Sequence, residues 1–269
     1  MAGNVGTPII PTNGLIFQLD IGSYKCVPNT TDDLTAGINS LINQYTLEGA
    51  QNTHPAEILT GDNDADPTLM PTFNPDFGGY LDFTGGKGMN VNEDLGAVTD
   101  PSIFPGLTYS IWVHWPQDFS VNQYFFDARN DIGVWFFPNY TGFNINWHDK
   151  LRYNFGGGDS SAFNGDAWPD EWVHIVAISD QDANNTRIYV NGSNRTADAA
   201  NNTLANKNLG KNFRIGTRYT DTNRFRGKMG PVHIYRSALT DQEVMQLFNA
   251  YKGRFDAQSY EDLAAQEGW

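Results

Sequence analysis

Three short segments towards the C-terminus decide the fold: Trp172-Val-His-Ile-Val-Ala177, Arg187-Ile-Tyr-Val-Asn-Gly192, and Phe213-Arg-Ile-Gly216 leading into Phe225-Arg-Gly-Lys-Met-Gly-Pro-Val-His-Ile-Tyr-Arg-Ser-Ala-Leu-Thr240. Each segment alternates in the way that predicts a half-buried strand, and each is closed by a turn signal. A succession of short strands and tight turns predicts an all-β domain.

Length, composition and charge agree with one large β domain. The chain has 269 residues, of which 13% are aromatic and 27 are glycine, a composition that suits many short strands joined by tight turns. The formal net charge of −14 argues against nucleic acid as a partner, because phosphate binding needs a basic face. The same charge favours solubility and permits divalent-cation sites or a basic partner surface.

The sequence predicts neither a disulfide framework nor a membrane segment. Cys26 is the single cysteine, which excludes an intrachain disulfide and is interpreted as a small buried residue. No run approaches the roughly 18 apolar residues that a membrane span requires, so no membrane partner is expected. Residues 1–11 show neither a basic region nor an apolar helix, and no export leader is expected.

Alternation predicts further strands upstream of the three segments. Gly14–Asp20 places Leu15, Phe17 and Leu19 on one face of a first strand, and Leu107–Trp115 does the same with Tyr109, Ile111 and Val113. The remaining predicted strands cover residues 124–127, 132–137, 141–147 and 151–155.

One helix is predicted near the C-terminus. Thr240 and Glu243 have the spacing of a capping box, which predicts a helix over residues 241–251. Its apolar stripe comprises Val244, Leu247, Phe248 and Tyr251.

The chain is predicted to have one folded domain between two arms. Residues 1–12 read as an extended arm because prolines exclude a helix there, residues 13–255 form the domain, and residues 256–269 form an acidic tail. Within the domain, residues 29–76 are an embellishment. A short amphipathic helix is expected there, followed by loop down to Pro75, with apolar positions at Leu34, Ile38, Leu41, Ile42 and Tyr45.

The segment Asn13-Gly-Leu-Ile-Phe-Gln-Leu-Asp-Ile-Gly-Ser-Tyr24, together with the three C-terminal segments, resembles laminin-G-like domains of the concanavalin A-like lectin/glucanase superfamily. The resemblance spans residues 13–255. It implies a two-sheet antiparallel jelly-roll sandwich with a short C-terminal helix and a long N-terminal loop insertion. The opening segment is similar to that of laminin-G-like domains in bacteriophage tail fibres and virion surface proteins. Thr84 and the pair Gly88-Met89 depart from the family's usual acidic and Asp-Tyr residues.

Catalysis is not expected, although the superfamily includes endoglucanases. Retaining glycosidases need two carboxyl groups about 5–5.5 Å apart. The Glu-x-Asp-x-x-Glu strand that supplies them in jelly-roll glucanases is missing from the sequence. Asp170 and Glu171 are adjacent, so on a strand they would lie on opposite faces, and they are interpreted as turn residues.

Two acidic clusters are candidate calcium sites. Oxygen ligands from Asp and Asn suit this ion. The sequence predicts no required cofactor, and calcium is the one candidate. The alternative interpretation is ordinary turn formation. The candidate ligands are Asp62, Asp64 and Asp66 in one cluster and Asp127 and Asp131 in the other.

An aromatic and polar set is the candidate glycan-binding site. Lectin sites stack a sugar on an aromatic ring while amide and acidic groups hold its hydroxyls. The alternative is that the aromatic residues belong to the core, as is predicted for Trp112, Trp135 and Trp172; His174 and His233 are expected to be packed residues or edge residues of their strands. The candidate glycan-binding residues are Trp115, Tyr140, Trp147, His148 and Asp149.

The hypothesis that follows from the resemblance is a non-enzymatic virion surface protein of a bacteriophage, either a capsid decoration or a tail-associated protein. Its partners would be other virion proteins and further copies of itself, docked through the two arms and residues 29–76. The alternative is a glycan- or receptor-binding module for host attachment, or an extracellular carbohydrate-binding protein of a cell. A chain without an export leader would leave the cell as part of an assembled particle.

Overall fold

The computed structural model of the protein describes residues 9–20, 22, 59–61, 71–91, 106–114, 123–127, 135–139, 142–146, 151–153, 171–180, 185–195, 199–200, 213–218 and 223–256. Its strands and helix, in chain order, are β1 (Leu15–Leu19), β2 (Leu59–Gly61), β3 (Thr72–Asn74), β4 (Tyr80–Asp82), β5 (Met89–Val91), β6 (Gly106–His114), β7 (Phe126–Asp127), β8 (Trp135–Asn139), β9 (Gly142–Asn146), β10 (Leu151–Tyr153), β11 (Trp172–Asp180), β12 (Asn185–Val190), β13 (Ser193–Asn194), β14 (Ala199–Ala200), β15 (Phe213–Ile215), β16 (Lys228–Tyr235) and α1 (Asp241–Phe255).

The strands form two antiparallel sheets. Sheet 1 has the order β13-β12-β11-β6-β16-β4-β3, and β1 also pairs with β16. Sheet 2 has the order β14-β10-β9-β8-β7-β15-β5-β2. Neighbours in each sheet are often distant in sequence, so the chain crosses repeatedly between the two layers. The predicted all-β, concanavalin A-like architecture with one C-terminal helix is confirmed.

The two sheets face each other across an apolar core. Tyr109 of β6 stacks on Phe126 of β7, with ring centroids 5.9 Å apart and an interplanar angle of 29°. Ile111 and Val113 are buried on the same face of β6 as Tyr109, as the alternation predicts. Ile215 of β15 is also fully buried. The core between the sheets therefore has the composition that the sequence predicts.

The inner strands of sheet 1 are buried on both faces, although alternation predicts half-buried strands. In β1, Leu15, Ile16, Phe17 and Leu19 are each at most 2% exposed. In β6 every residue from Gly106 to Val113 is buried. The reason is that α1 covers the face of sheet 1 that points away from sheet 2. The molecule is thus a three-layer arrangement of helix, sheet 1 and sheet 2.

The predicted core residues Trp112 and Trp172 are buried against the helix and not between the sheets. The centroid of the Phe255 ring, in the last residue of α1, lies 4.8 Å from that of Trp112 and 4.4 Å from that of Trp172. This contact extends the helix four residues beyond its predicted end at Tyr251, since burial of Phe255 stabilises one further turn. Asp256 then adopts a left-handed conformation (φ 51°) and its N–H bonds to the Lys252 carbonyl, which ends the helix.

The N-terminal end of α1 has the predicted capping box. Thr240 Oγ1 accepts a hydrogen bond from the Glu243 N–H at 3.3 Å, and the Thr240 N–H donates to Glu243 Oε2 at 2.8 Å. The predicted apolar stripe is buried at every position: Val244, Leu247, Phe248 and Tyr251.

Strand β16 changes register at Gly230-Pro231. Its pairing with β6 shifts between Met229 and Val232, which accommodates a proline that cannot donate to the ladder. Glycine is required beside it because a Cβ at residue 230 would lie 2.6 Å from Phe255 and 3.0 Å from the Trp112 Cβ. The irregularity therefore lets the helix approach sheet 1 closely.

Two parts of the predicted embellishment are strands. The sequence predicts loop for residues 46–75, but β2 and β3 lie within this range. Three-residue strands are too short to show a period, and they form because β5 and β4 offer them an edge. The predicted helix over residues 34–45 lies outside the described residues, as do Cys26, most of the N-terminal arm and all but the first residue of the acidic tail.

Arg254 ties the end of α1 to two other segments. Its Nη1 donates to Asp20 Oδ1 at 2.6 Å, its Nε donates to the Phe77 carbonyl at 2.6 Å, and its Nη2 donates to the Gly79 carbonyl. Phe77 lies in the left-handed region (φ 53°, ψ 28°), an uncommon conformation for a bulky residue. The guanidinium group therefore fixes the β3–β4 connection and the end of β1 against the helix.

We predict that Arg254→Met lowers the free energy of unfolding by about 3 kcal/mol, because the 5%-exposed Asp20 would keep a buried carboxylate without this partner. Lys252→Met, an exposed change on the same helix, should cost no more than about 1 kcal/mol. Urea denaturation measures both. Equal losses in the two variants would contradict the role assigned to Arg254.

We predict that Gly253→Ala raises the free energy of unfolding by about 0.5–1 kcal/mol. A Cβ at this helical position would have no atom within 4 Å, so the substitution gains helix propensity at no steric cost. Gly230→Ala is the matched control and should lower stability by about 1–3 kcal/mol through overpacking against Phe255. Thermal unfolding that moved in the same direction for both variants would refute the prediction.

Candidate functional site

The outer face of sheet 2 is the candidate functional site, and the strand register defines it. Met89, Phe126 and Ile215 are at most 2% exposed and mark the face that packs on sheet 1. Ile215 pairs with both Met89 and Phe126. Since successive residues of a strand lie on opposite faces, the positions between these core residues belong to the outer face.

One row of outer-face positions crosses six neighbouring strands. Successive register partners define it, from β2 to β9. With a strand spacing of about 4.8 Å, the row extends about 24 Å. Its positions are Thr60, Asn90, Arg214, Asp127, Trp135 and Asn146.

A second row lies beside the first towards the β14 edge. Phe137 pairs with Asn144, Asn144 with Arg152, and Arg152 with Ala200. The outer face therefore combines aromatic, amide and guanidinium positions, whereas the inner face of the same strands carries apolar residues.

The prediction that Trp135 is a core residue stays a prediction, and the strand register gives its position in sheet 2. Phe136 pairs with the buried Phe126, so Trp135 occupies the opposite face. A shift of one residue exchanges the two faces of a strand, and the apolar run Trp135-Phe-Phe gives no period from which to choose between them. Only the pairing partner decides which aromatic residue faces the core.

Asn90 and Arg214 of this face are not among the predicted site residues, although the alternation around them indicates outward positions. Asn90 stands between Met89 and Val91, and Arg214 between Phe213 and Ile215, each a polar residue between two apolar ones. Alternation of this kind marks an outward position on a half-buried strand. What the sequence could not show is that these strands are neighbours in sheet 2.

The predicted glycan-binding residues lie next to the described strands, but outside the described residues themselves. Tyr140 directly follows β8, and Trp147 directly follows β9, both strands of sheet 2. Trp115 follows β6, which belongs to sheet 1. The five predicted residues with this status are Trp115, Tyr140, Trp147, His148 and Asp149.

Calcium binding stays a prediction. Asp62, Asp64, Asp66 and Asp131 lie outside the described residues, and within the described ranges no group of three His, Cys, Asp or Glu side chains could hold a metal ion. Asp127 ends β7, and its register partners are Arg214 and Trp135. Calcium at Asp127 would therefore need further oxygen ligands from residues beyond the described strands.

The histidines of sheet 1 are packed, as predicted. His174 and His233 are fully buried beneath α1. Burial is the main cause that lowers the pKa of each ring from 6.5 to about 3, because it disfavours the charged imidazolium. Both side chains are therefore neutral at physiological pH and lie on the opposite side of sheet 1 from the candidate face.

Asp170 lies outside the described residues, and Glu171 is the residue immediately before β11. Glu171 is half-buried and precedes the strand, as its interpretation as a turn residue predicts.

Two antiparallel sheets packed face to face, with a polar and aromatic outer face on one of them, are the architecture of a concanavalin-like sandwich. The family described as the concanavalin A-like lectin/glucanases superfamily matches residues 86–245, which is more than half of the chain. The chain belongs to this superfamily. No curated protein sequence matches it.

Solved structures with the same fold include an arabinanase domain, a sialidase and a neurotoxin receptor binding domain. Domain 4 of AbnA, a GH43 extracellular arabinanase from Geobacillus stearothermophilus in complex with arabinotriose, is 18% identical with a TM-score of 0.53, covering 88% of this chain and 99% of that one. Trypanosoma rangeli sialidase in complex with sialic acid is 13% identical with a TM-score of 0.55, covering 91% and 34%. The botulinum neurotoxin type G receptor binding domain is 12% identical with a TM-score of 0.50, covering 88% and 51%.

These identities show a shared fold and nothing finer. The chain spans about a third of the sialidase and about half of the neurotoxin domain, but nearly all of the arabinanase domain. Within the part of the chain that the structure describes, no helix is long and apolar enough to cross a membrane.

Proposed function

We propose that the protein is a non-catalytic module that binds an oligosaccharide on the outer face of sheet 2. The observation that carries the proposal is the row from Thr60 to Asn146, which aligns amide, guanidinium and indole positions across six strands. Aromatic faces stack on sugar rings, while amide and charged groups bond to hydroxyls. A row of about 24 Å suits a chain of several sugars better than a single ring.

The proposal includes residues that directly follow β8 and β9 in the sequence. Trp135 and Phe137 provide aromatic positions two residues apart on one strand, and Tyr140 directly follows it. Trp147, His148 and Asp149 follow β9 in the same way. In this proposal Trp135 stacks on a sugar, Asn90 and Asn146 bind hydroxyls, and Tyr140, Trp147, His148 and Asp149 are further candidate contacts.

The arabinanase domain supports the choice of ligand class. It is similar to this chain over nearly its whole length, and its structure contains arabinotriose. A domain of this size and fold can therefore accommodate a short linear oligosaccharide. The identity of the sugar in our proposal is left to binding measurements, because the likeness extends to the fold alone.

The absence of catalysis is part of the proposal. Hydrolysis with retention needs a second carboxyl group about 5–5.5 Å from the first. The register partners of Asp127 on the outer face are Arg214 and Trp135, neither of which can act as the second carboxylate. The sequence also lacks the Glu-x-Asp-x-x-Glu strand of jelly-roll glucanases.

We predict that Trp135→Ala weakens oligosaccharide binding at least about tenfold, a loss of about 1.4 kcal/mol, because it removes the aromatic position near the centre of the face. An oligosaccharide array that includes arabinotriose identifies the ligand, and calorimetry with that ligand compares the variants. Met245→Ala, at a 41%-exposed position on α1, is the control and should bind as the wild type does. Unchanged affinity in Trp135→Ala would place the site elsewhere, and an array without any bound glycan would refute the proposed function.

A virion surface location is the second proposal, and it is compatible with the first. Its support is the resemblance of Asn13–Tyr24 to phage structural proteins, together with the placement of both ends of the described chain on the helix side. Gln246 Nε2 of α1 donates to the Ile9 carbonyl at 3.3 Å, and Ile9 itself is 81% exposed. The arm before Ile9 and the tail after Asp256 would thus dock on a particle while sheet 2 faces outward. The domain would be a capsid decoration or tail-associated protein that presents a glycan-binding face.

We predict that purified particles from the source contain this chain, and quantitative mass spectrometry of copies per major capsid protein measures it. Hundreds of copies would identify a decoration protein, and a handful would identify a tail position. Particles without the chain would contradict the virion location and would leave an extracellular carbohydrate-binding protein as the explanation.

A further inference from the structure

Two fully buried histidines lie in the layer between α1 and sheet 1. His174 belongs to β11 and His233 to β16, and strand β6 runs between them. Both side chains are 0% exposed. The helix that covers them supplies Phe248, Tyr251 and Phe255 to the same layer.

Each imidazole has one hydrogen bond. His174 Nε2 is 2.8 Å from Ser110 Oγ, and its ring stacks on Trp112 with centroids 4.9 Å apart. His233 Nε2 is 3.3 Å from the hydroxyl of Tyr251 on α1. The Nδ1 atoms of both rings are buried without a hydrogen-bond partner. An imidazolium ion would need an acceptor at both nitrogens, so this interface suits only the neutral form.

The charged and titratable groups around the pair do not favour a second positive charge. Arg254 of α1 lowers the pKa of His233, and His233 in turn lowers that of His174. Asp20 on the β1 side is paired with Arg254. Other groups on this side of sheet 1 are His114 beside Trp172, the phenols of Tyr80, Tyr189, Tyr235 and Tyr251, and the Arg187–Asp241 pair and Glu243 near the start of the helix.

We propose that the His174–His233 pair is an acid-sensitive latch, which holds α1 on sheet 1 while both rings are neutral and releases it when they take up protons. Lifting α1 exposes both rings to water and removes Tyr251 from His233. The helix is not part of either sheet, so it can move away without breaking a hydrogen bond between strands.

The direction of the pH dependence follows from linkage. Both rings have a lowered pKa in the closed state, so the closed state is fully favoured above about pH 6.5 and is progressively disfavoured as the pH falls towards about 3. A released histidine has its ordinary pKa of about 6.5, so at pH 4.5 each ring favours the open state by about 100-fold. The two rings together increase the open population by up to about 10⁴-fold.

Hydrogen exchange followed by mass spectrometry tests the latch at pH 7.5 and pH 4.5, with the pH dependence of intrinsic exchange removed. We expect the protection of amides in α1 to fall by up to about 10⁴-fold at the lower pH, while the amides of β6 and β11 keep theirs. The variant His174→Gln with His233→Gln cannot gain these protons and should lose the pH dependence. Tyr251→Phe removes a hydrogen bond but no group that titrates in this range, so it should keep the dependence.

Three results would overturn the proposal. One is protection in α1 that does not change with pH, and another is a double variant with the same pH dependence as the wild type. The third is loss of protection in α1, β6 and β11 together, since the histidines would then govern unfolding of the whole domain and not release of the helix. If the double variant does not fold, the two single variants replace it. In each of them, we expect the protection of α1 amides to fall by about 100-fold at the lower pH. A fall of 10⁴-fold in both single variants, as in the wild type, would also refute the latch.

Discussion

Burial of the inner strands of sheet 1 on both faces is the constraint on which the rest of the structure depends. A strand covered on one side can alternate apolar and polar residues, whereas β6 and β11 must supply residues without exposed polar groups in both directions. Trp112 and Trp172 fill the helix side, and Tyr109 and Ile111 fill the side towards sheet 2. The close approach of α1 that this requires is made possible by the glycine and register shift in β16.

This arrangement separates stability from recognition. The helix and sheet 1 hold the contacts of Trp112 and Trp172 with Phe255 and the Arg254 network, so substitutions there act mainly on folding. The outer face of sheet 2 carries amide, guanidinium and aromatic positions whose replacement leaves the inner face intact. A rigid scaffold with a variable outer surface allows a sandwich of this superfamily to change its ligand without changing its core.

The few polar groups that are buried in sheet 1 link its packing to the pH of the solution. Ser110, His174 and His233 are among these groups: Ser110 Oγ is hydrogen-bonded to His174 Nε2 on the neighbouring strand, and His233 Nε2 to the Tyr251 hydroxyl on the helix. Burial favours the neutral rings and makes their protonation costly, so we expect the interface that holds the helix to be sensitive to acid. In the proposed particle-bound state, the same helix lies on the side that carries Ile9 and Asp256, the two ends of the described chain.

Local sequence patterns determined the longer strands of sheet 1 (β1, β6, β11, β12 and β16), the capping box and the buried stripe of α1, because each depends on residues within a few positions of one another. The laminin-G-like motifs likewise predicted the superfamily and the sandwich. Tertiary structure alone decided the assignment of residues to faces. Trp112 and Trp172 could have been buried on either side of sheet 1, and Trp135 or Phe136 could have faced the core, since an apolar run has no period that distinguishes them. The short strands β2 and β3, and the alignment of Asn90, Arg214 and Trp135 in one row, arise from pairing between segments distant in the chain, which no local pattern encodes.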